Sequence, residues 1–226
     1  HQGLLDSLIN WHFSARITRV LSYTRIRPND VTFAAAAVGA LACALVAAGA
    51  APGIAAGGVL LQLQSILDSC DGELARLTFR TSPSGQWLDN ILDDLIDNMF
   101  VCCAGFASGG NWIAVGLLSA CARGLSMAFA YHDVYRRTGT GDVYRFRLWF
   151  EGRDRSAEDL FKPNSPPTIV RALGRRDTYV FLWMILCIVN LTRVIVMYGA
   201  VLAAIQAVAI ALHLAMREPL PAPETE

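Results

Sequence analysis

Six aspartates lie close together in two neighbouring apolar stretches of this 226-residue chain. They are Asp68, Asp71, Asp89, Asp93, Asp94 and Asp97. A carboxylate inside the hydrocarbon core of a bilayer costs several kcal/mol unless it is paired, hydrated or bound to a cation. The sequence therefore predicts that a cationic group lies among these side chains.

The spacing of four of these aspartates indicates how they meet. Asp68 and Asp71 are three residues apart, so they share one helix face. Asp89 and Asp93 are four residues apart and share a face of a second helix. An antiparallel hairpin that turns through residues 81–84 brings the two faces together near one end. Converging carboxylates without His or Cys are hard oxygen ligands, which suit Mg²⁺ and, as the alternative, Mn²⁺.

Two glycines and an arginine accompany the carboxylates. Gly72 and Gly85 have no side chain, which leaves room for a ligand close to the backbone. Arg76 lies one helical turn after Gly72 and is within reach of anionic oxygens beside a metal ion. A metal ion, an arginine and a polar cavity at a membrane surface are typical of a site that binds a diphosphate.

Composition places these residues in a membrane protein. Hydrophobic residues make up 54% of the chain and charged residues only 17%, and the mean hydropathy is +0.40. Soluble domains usually contain about 25% charged residues. The formal net charge is zero, so no nucleic-acid partner is expected.

The apolar segments predict an all-α integral membrane fold with six transmembrane helices. They span about residues 31–50, 54–79, 84–108, 112–135, 177–190 and 194–216. We expect a juxtamembrane segment at 1–28, a six-helix domain at 29–217 and a disordered tail at 218–226.

The residues before the first predicted crossing favour an amphipathic helix that lies in the membrane interface. Leu4, Leu8, Trp11 and Ala15 recur at helical spacing, with two arginines close behind. A solvent-exposed helix that leads into the first crossing is the alternative.

Basic residues fall on one side of the predicted topology. They are Arg16, Arg19, Arg25 and Arg27 before the first segment, Arg76 and Arg80 between the second and third, ten residues from Arg136 to Arg176, and Arg217 after the sixth. The turns after the first and third segments contain no Lys or Arg. By the positive-inside rule, both termini and the hairpin site are cytoplasmic, in a multi-pass protein of a prokaryotic inner membrane.

The aspartate motif resembles the signature of the CDP-alcohol phosphotransferase family, DxxDGxxAR followed by GxxxDxxxD. Residues 68–76 and 85–93 contain all eight fixed positions. Pro28, Asn29 and Thr32 resemble the family's PNxxT element. The resemblance implies that a phospho-alcohol group moves from a CDP-alcohol to a second hydroxyl with release of CMP. It also suggests a homodimer.

The resemblance further implies a role for each signature residue. Metal ligands on the CDP diphosphate would be Asp68, Asp71, Asp89 and Asp93. Contacts to the CDP moiety would come from Asn29, Thr32, Asp68, Asp71, Gly72, Ala75, Arg76 and Gly85. Asp93 would also be the general base on the acceptor hydroxyl, which is worth about 10²–10⁴-fold in rate. No Ser/His/Asp or Cys/His arrangement is evident, so direct transfer is favoured over a covalent enzyme intermediate.

The sequence around Glu73 resembles the sequences of the branch that contains the di-myo-inositol phosphate phosphate synthases. These are often fused behind a soluble cytidylyltransferase domain, and a start without Met fits such a fusion. CDP-inositol with an inositol phosphate or a related polar acceptor is the expected substrate pair. Cations for a phosphorylated acceptor would be Arg123, His132, Arg136, Arg137, Arg175 and Arg176.

Several alternatives stay open. The same site serves a phospholipid or sphingolipid head-group synthase that uses CDP-diacylglycerol or a lipid acceptor. A membrane prenyltransferase and a cation transporter are more remote alternatives. Arg123 pairs either with an acceptor or with a hairpin aspartate. Asp97, one turn after Asp93, either orients Asp93 or is simply hydrated, and Asp94 meets either an arginine or water.

Overall fold

The computed structural model of the chain describes residues 10–138 and 175–216. These ranges contain seven α-helices and no strand. The helices are α1 Trp11–Ser22, α2 Pro28–Ala47, α3 Ala51–Leu77, α4 Pro83–Ser108, α5 Asn111–Thr138, α6 Arg176–Ile188 and α7 Thr192–Met216. The prediction of an all-helical fold is confirmed for this part of the chain.

Local sequence signals set the helix boundaries. Proline occupies the first position of α2 and of α4, where its missing N–H and fixed φ suit a helix start. The Ser82 hydroxyl caps α4 by accepting from the Gly85 N–H at 3.0 Å. Gly109 and Gly110 both have positive φ and turn the chain sharply between α4 and α5.

The helices pack around one apolar core. α2 contacts α3 and α4, α3 contacts α6, and α7 packs against α4 and α5. At the centre, the ring of Trp183 stacks on Phe100 with centroids 5.8 Å apart. Gly58 lets α3 approach α6 closely, since a Cβ there would lie 2.5 Å from the Cys187 Cβ. This packing fixes the first turn of α6 against the acidic part of α3 and α4.

Helix α1 lies across α3 with an unusual distribution of side chains. Its small polar residues Ser14 and Thr18 are buried, whereas Phe13, Val20 and Tyr23 are exposed. An apolar surface that faces away from the protein is typical of a helix in the membrane interface. Leu4 and Leu8, which contributed to that prediction, lie outside the described residues.

Three of the described helices are long and apolar enough to cross a membrane: Pro28–Ala47, Asn111–Arg136 and Thr192–Met216. Helices α3 and α4 have 27 and 26 residues but carry the acidic clusters. Helix α6 has 13 residues, or roughly 20 Å at 1.5 Å per residue. These lengths fit a membrane protein, and the six crossings stay a prediction.

Candidate active site

A cavity of about 1180 Å³ opens between α2, α3, α4 and the first residues of α6. Its wall includes all eight residues predicted to contact CDP, which are Asn29, Thr32, Asp68, Asp71, Gly72, Ala75, Arg76 and Gly85. Asp89, Asp93, Arg175 and Arg176 line the same cavity. The tertiary structure therefore brings three separate motifs of the sequence around one space.

Three of the cavity's carboxylates converge. Asp68, Asp71 and Asp89 each place one oxygen within 4.8 Å of the others. The Oδ1 atom of Asp89 is buried and has no hydrogen-bond partner among the described residues. A buried carboxylate oxygen without a partner is costly, and a bound cation removes that cost. The three side chains thus fit a hard divalent cation.

The PNxxT element of α2 contacts the carboxylates directly. Thr32 is buried, and its hydroxyl donates a hydrogen bond to Oδ2 of Asp71. Asn29 lies beside Gly85, where an added Cβ would be 3.3 Å from the Asn29 Oδ1 and 2.9 Å from the Ser82 Oγ. A side chain at Gly85 would therefore displace the residues that shape this side of the cavity.

Asp93 lies next to the three-carboxylate group and has its own partners. Its Oδ1 accepts a hydrogen bond from Nε2 of Gln64 at 3.0 Å. Its Oδ2 lies 2.7 Å from a terminal guanidinium nitrogen of Arg176. The same nitrogen is 3.0 Å from Oδ2 of Asp68. Arg176 thus provides positive charge within the acidic cluster, between Asp68 and Asp93.

A buried network lies behind Arg176. Asp97, with 0% exposure, accepts hydrogen bonds from Nε of Arg176 at 3.3 Å and from the Tyr179 hydroxyl. Arg123 donates to the Tyr179 oxygen at 2.8 Å and lies 3.6 Å from Asp97. Asp97 therefore orients Arg176, rather than contacting Asp93 directly as the sequence suggested.

Asp94 lies at the edge of this network, where α4 contacts α5. It accepts a hydrogen bond from the Tyr131 hydroxyl at 2.8 Å and lies 3.9 Å from Arg123. The ring of Tyr131 packs against Trp87, with centroids 5.3 Å apart. Asp94 is thus tied to α5 rather than simply hydrated.

The predicted acceptor residues are placed in three different environments. Arg175 and Arg176 line the cavity, and Arg175 pairs with Asp177 at 3.2 Å. Arg123 is only 6% exposed and pairs with Asp94 and Asp97, which is the alternative to binding an acceptor. His132 and Arg136 are exposed on α5 and do not line the described cavity. The side chain of Arg137 lies outside the described residues.

The sequence matches the CDP-alcohol phosphatidyltransferase family over residues 25–206. This range includes every described cavity residue except Asn10. The chain belongs to this family. It is accordingly a phosphotransferase enzyme, as the signature implied, and the alternatives of a prenyltransferase and a transporter lose their support.

Curated proteins that are similar to this chain include members of the inositol-phosphate branch. A Thermococcus kodakarensis protein named bifunctional IPC transferase and DIPP synthase is 32% identical over 189 residues, which cover 81% of this chain and 38% of that protein. An Aquifex aeolicus protein of the same name is 31% identical over 146 residues, 63% of this chain and 33% of that protein. An archaetidylinositol phosphate synthase from Aeropyrum pernix is 36% identical over 61 residues, 27% of this chain and 31% of that protein.

These names confirm the resemblance to the inositol-phosphate branch. The chain spans about a third of the length of the bifunctional relatives that it matches. The activities in those names therefore describe the whole relatives. For this chain, the comparison shows membership of the CDP-alcohol phosphatidyltransferase family.

Sequence reasoning missed one side chain at the centre of the site. Gln64 contacts both Asp93 and Arg176, yet it precedes the family signature. Its position four residues before Asp68 places it on the same face of α3, which is the signal that could have found it. Conversely, Glu73 accepts a hydrogen bond from Ser14 of α1 at 2.8 Å and does not line the described cavity.

Proposed function

We propose that this enzyme transfers a phospho-alcohol group from a CDP-alcohol to an acceptor hydroxyl, with Mg²⁺ as cofactor and Mn²⁺ as the alternative. The observation that carries this proposal is the convergence of Asp68, Asp71 and Asp89 in a cavity that Asp93 also lines. Family membership supports the reaction class, and the unpartnered buried oxygen of Asp89 supports the cation.

Asp68, Asp71 and Asp89 would hold the cation, and Asp93, which lines the same cavity, is proposed to share it. When bound, the cation neutralises charge on the diphosphate and stabilises CMP as a leaving group. Thr32 orients Asp71, and Gly72 and Gly85 place bare backbone in the cavity wall, where the nucleotide is proposed to bind.

Asp93 is the proposed general base. Its carboxylate takes the proton from the acceptor hydroxyl, whose oxygen then attacks the phosphorus that carries the alcohol. The bond between that phosphorus and the oxygen bridging to the cytidine phosphate breaks, and CMP leaves with the bridging oxygen. Such a base accelerates transfer by about 10²–10⁴-fold.

The proposed substrates are CDP-inositol and an inositol phosphate or related polar acceptor. Arg175 and Arg176 line the cavity and supply positive charge for an acceptor phosphate. Arg123 supports Arg176 through Asp97 and Tyr179. His132, Arg136 and Arg137 stay proposed acceptor residues at the end of α5, although His132 and Arg136 do not line the described cavity.

A lipid acceptor or donor is the second candidate. The similarity to the archaetidylinositol phosphate synthase of Aeropyrum pernix favours it, because that name denotes a lipid product. Large exposed apolar side chains on α5 and α7 would face the bilayer, from which a lipid enters laterally.

The arrangement in the cell is part of the proposal. We place six crossings in residues 29–217 of a prokaryotic inner membrane, with both termini and the cavity cytoplasmic. A homodimer and an upstream cytidylyltransferase domain are proposed from the resemblance to the inositol-phosphate branch.

The deciding experiment follows CMP release by the purified protein in nanodiscs with Mg²⁺. CDP-inositol with inositol phosphate is compared with CDP-diacylglycerol and the same acceptor, and products are identified by mass spectrometry. We expect release from the soluble pair, and transfer about 10²–10⁴-fold slower by Asp93→Asn although CDP-alcohol binding persists. If no CDP-alcohol yields CMP, the proposed reaction is wrong. If only CDP-diacylglycerol yields CMP, the lipid substrate is the correct one.

A further inference from the structure

Gln64 is a polar side chain in one of the most enclosed positions of the fold. It is 1% exposed in α3, one helical turn before Asp68. A buried amide without hydrogen bonds costs several kcal/mol in an apolar environment. Its burial therefore requires partners, and those partners show what it does.

Both ends of the Gln64 amide are paired. Nε2 donates to Oδ1 of Asp93 at 3.0 Å, and Oε1 accepts from a terminal nitrogen of Arg176 at 2.8 Å. A carboxylate only accepts and a guanidinium only donates. The chemistry of the two neighbours therefore fixes which way the amide points.

The three side chains form a closed ring across α3, α4 and α6. The third side of the ring is the 2.7 Å contact between Arg176 and Oδ2 of Asp93. Rotation of the Asp93 carboxylate breaks two of these contacts at once, so the ring holds the carboxylate in one plane. Each carboxylate oxygen keeps a second acceptor position, which leaves room for a substrate hydroxyl.

We infer that Gln64 is a positioning residue, which orients the Asp93 carboxylate toward the acceptor hydroxyl and sets its distance from Arg176. The inference rests on the proposed role of Asp93 as the base. Gln64 does not line the cavity, so it acts through Asp93 and Arg176 rather than on a substrate.

The chain offers a matched control for this role. Gln62 lies two residues earlier on α3, is 7% exposed, and donates to Oδ1 of Asn10 at 2.8 Å. Met at either position keeps the length and removes the amide. The two variants thus lose the same atoms from the same helix, but only one loses a contact to Asp93.

The test measures kcat and both KM values of Gln64→Met and Gln62→Met in nanodiscs, with melting temperatures as a measure of folding. We expect Gln64→Met to lower kcat about 10–100-fold, the loss typical of residues that orient a site from behind. The KM for the CDP-alcohol should stay at the wild-type value. Gln62→Met should keep the wild-type kcat. An unchanged kcat in folded Gln64→Met, or an equal loss in both variants, overturns the inference.

The Asp93→Asn background separates this inference from the proposed function. If Gln64 acts through Asp93, adding Gln64→Met to Asp93→Asn lowers the residual rate no further. A further loss as large as in the wild-type background contradicts the inference and leaves the base in place. Full activity of Asp93→Asn would instead show that Asp93 is not the general base. Should Gln64→Met fail to fold, Gln64→Glu keeps the shape without the donor, and a wild-type kcat in that variant also overturns the inference.

Discussion

At the scale of single residues, Arg176 joins parts of the site that are far apart in the sequence. Its guanidinium contacts Asp68 of α3 and both Asp93 and Asp97 of α4. A guanidinium has five donors in a rigid plane, so one side chain can satisfy several carboxylates. Without this charge, aspartates that lie close together in a buried cluster would repel each other.

Removing Arg176 should therefore affect both acceptor binding and stability. We expect Arg176→Ala to raise the acceptor KM more than the KM of the CDP-alcohol and to lower the melting temperature in detergent. Arg175→Ala is the control, because Arg175 is more exposed and pairs with Asp177 of the adjoining turn. It should raise the acceptor KM with a smaller thermal effect. An acceptor KM that changes in neither variant would contradict the proposed acceptor pocket.

Removing one carboxylate of the converging group should weaken nucleotide binding only when the cation is present. We expect Asp71→Asn to bind a CDP-alcohol at least about 10-fold more weakly in Mg²⁺ by calorimetry. In EDTA, the variant and the wild type should bind equally weakly. Glu73→Gln is the matched control on the same helix, since Glu73 pairs with Ser14 outside the cavity. Tight binding by the wild type in EDTA would argue against the metal site.

At the scale of elements, the separation of α3 and α6 decides whether Arg176 reaches the aspartates. Gly58 sets that separation, because the backbone of Met184 and the side chain of Cys187 leave no space for a Cβ. α6 itself is short and carries the arginine in its first turn. The close contact between Gly58 and Cys187, near the other end of α6, thus positions Arg176 in the cavity.

Gly58→Ala should destabilise the protein and reduce its activity together. Overpacking of this kind costs about 1–3 kcal/mol, and a shift of α6 moves Arg176 away from Asp68. Gly124→Ala is the control, because an added Cβ there is 3.9 Å from its nearest neighbour, Nδ2 of Asn98. Ala is also the better helix former, so this variant should melt at the wild-type temperature or higher. Equal melting temperatures for the two variants would contradict this account of the packing.

At the scale of the whole molecule, the fold encloses a polar cavity at one end of a largely apolar helix bundle. The three helices that are apolar enough to cross a membrane expose apolar side chains on the outside, while the clustered aspartates line the cavity or lie buried. A carboxylate is tolerated in such a bundle only where it faces a cavity, water or a counter-charge. The arrangement therefore fits a membrane enzyme whose polar substrates enter from one side.

The proposed orientation predicts which ends of α4 are accessible from each side of the membrane. We expect Phe79→Cys, before α4, to react with a membrane-impermeant maleimide only after cells are permeabilised. Asn111→Cys, after α4, should react in intact cells. Both changes are made in a background without the six native cysteines. The reverse pattern would place the cavity outside, against the positive-inside prediction.

The sequence by itself determined the helical class, the shared faces of the aspartates and the family, because spacing along one helix directly encodes which side chains lie together. Asp68 and Asp71 needed no long-range information. Only the tertiary structure placed Arg176 against Asp68, across 108 residues of chain. It likewise showed Gln64 between Asp93 and Arg176, and Glu73 bound to α1. Such contacts depend on which faces of separate helices meet, and that is decided by packing at distant positions such as Gly58 and Cys187.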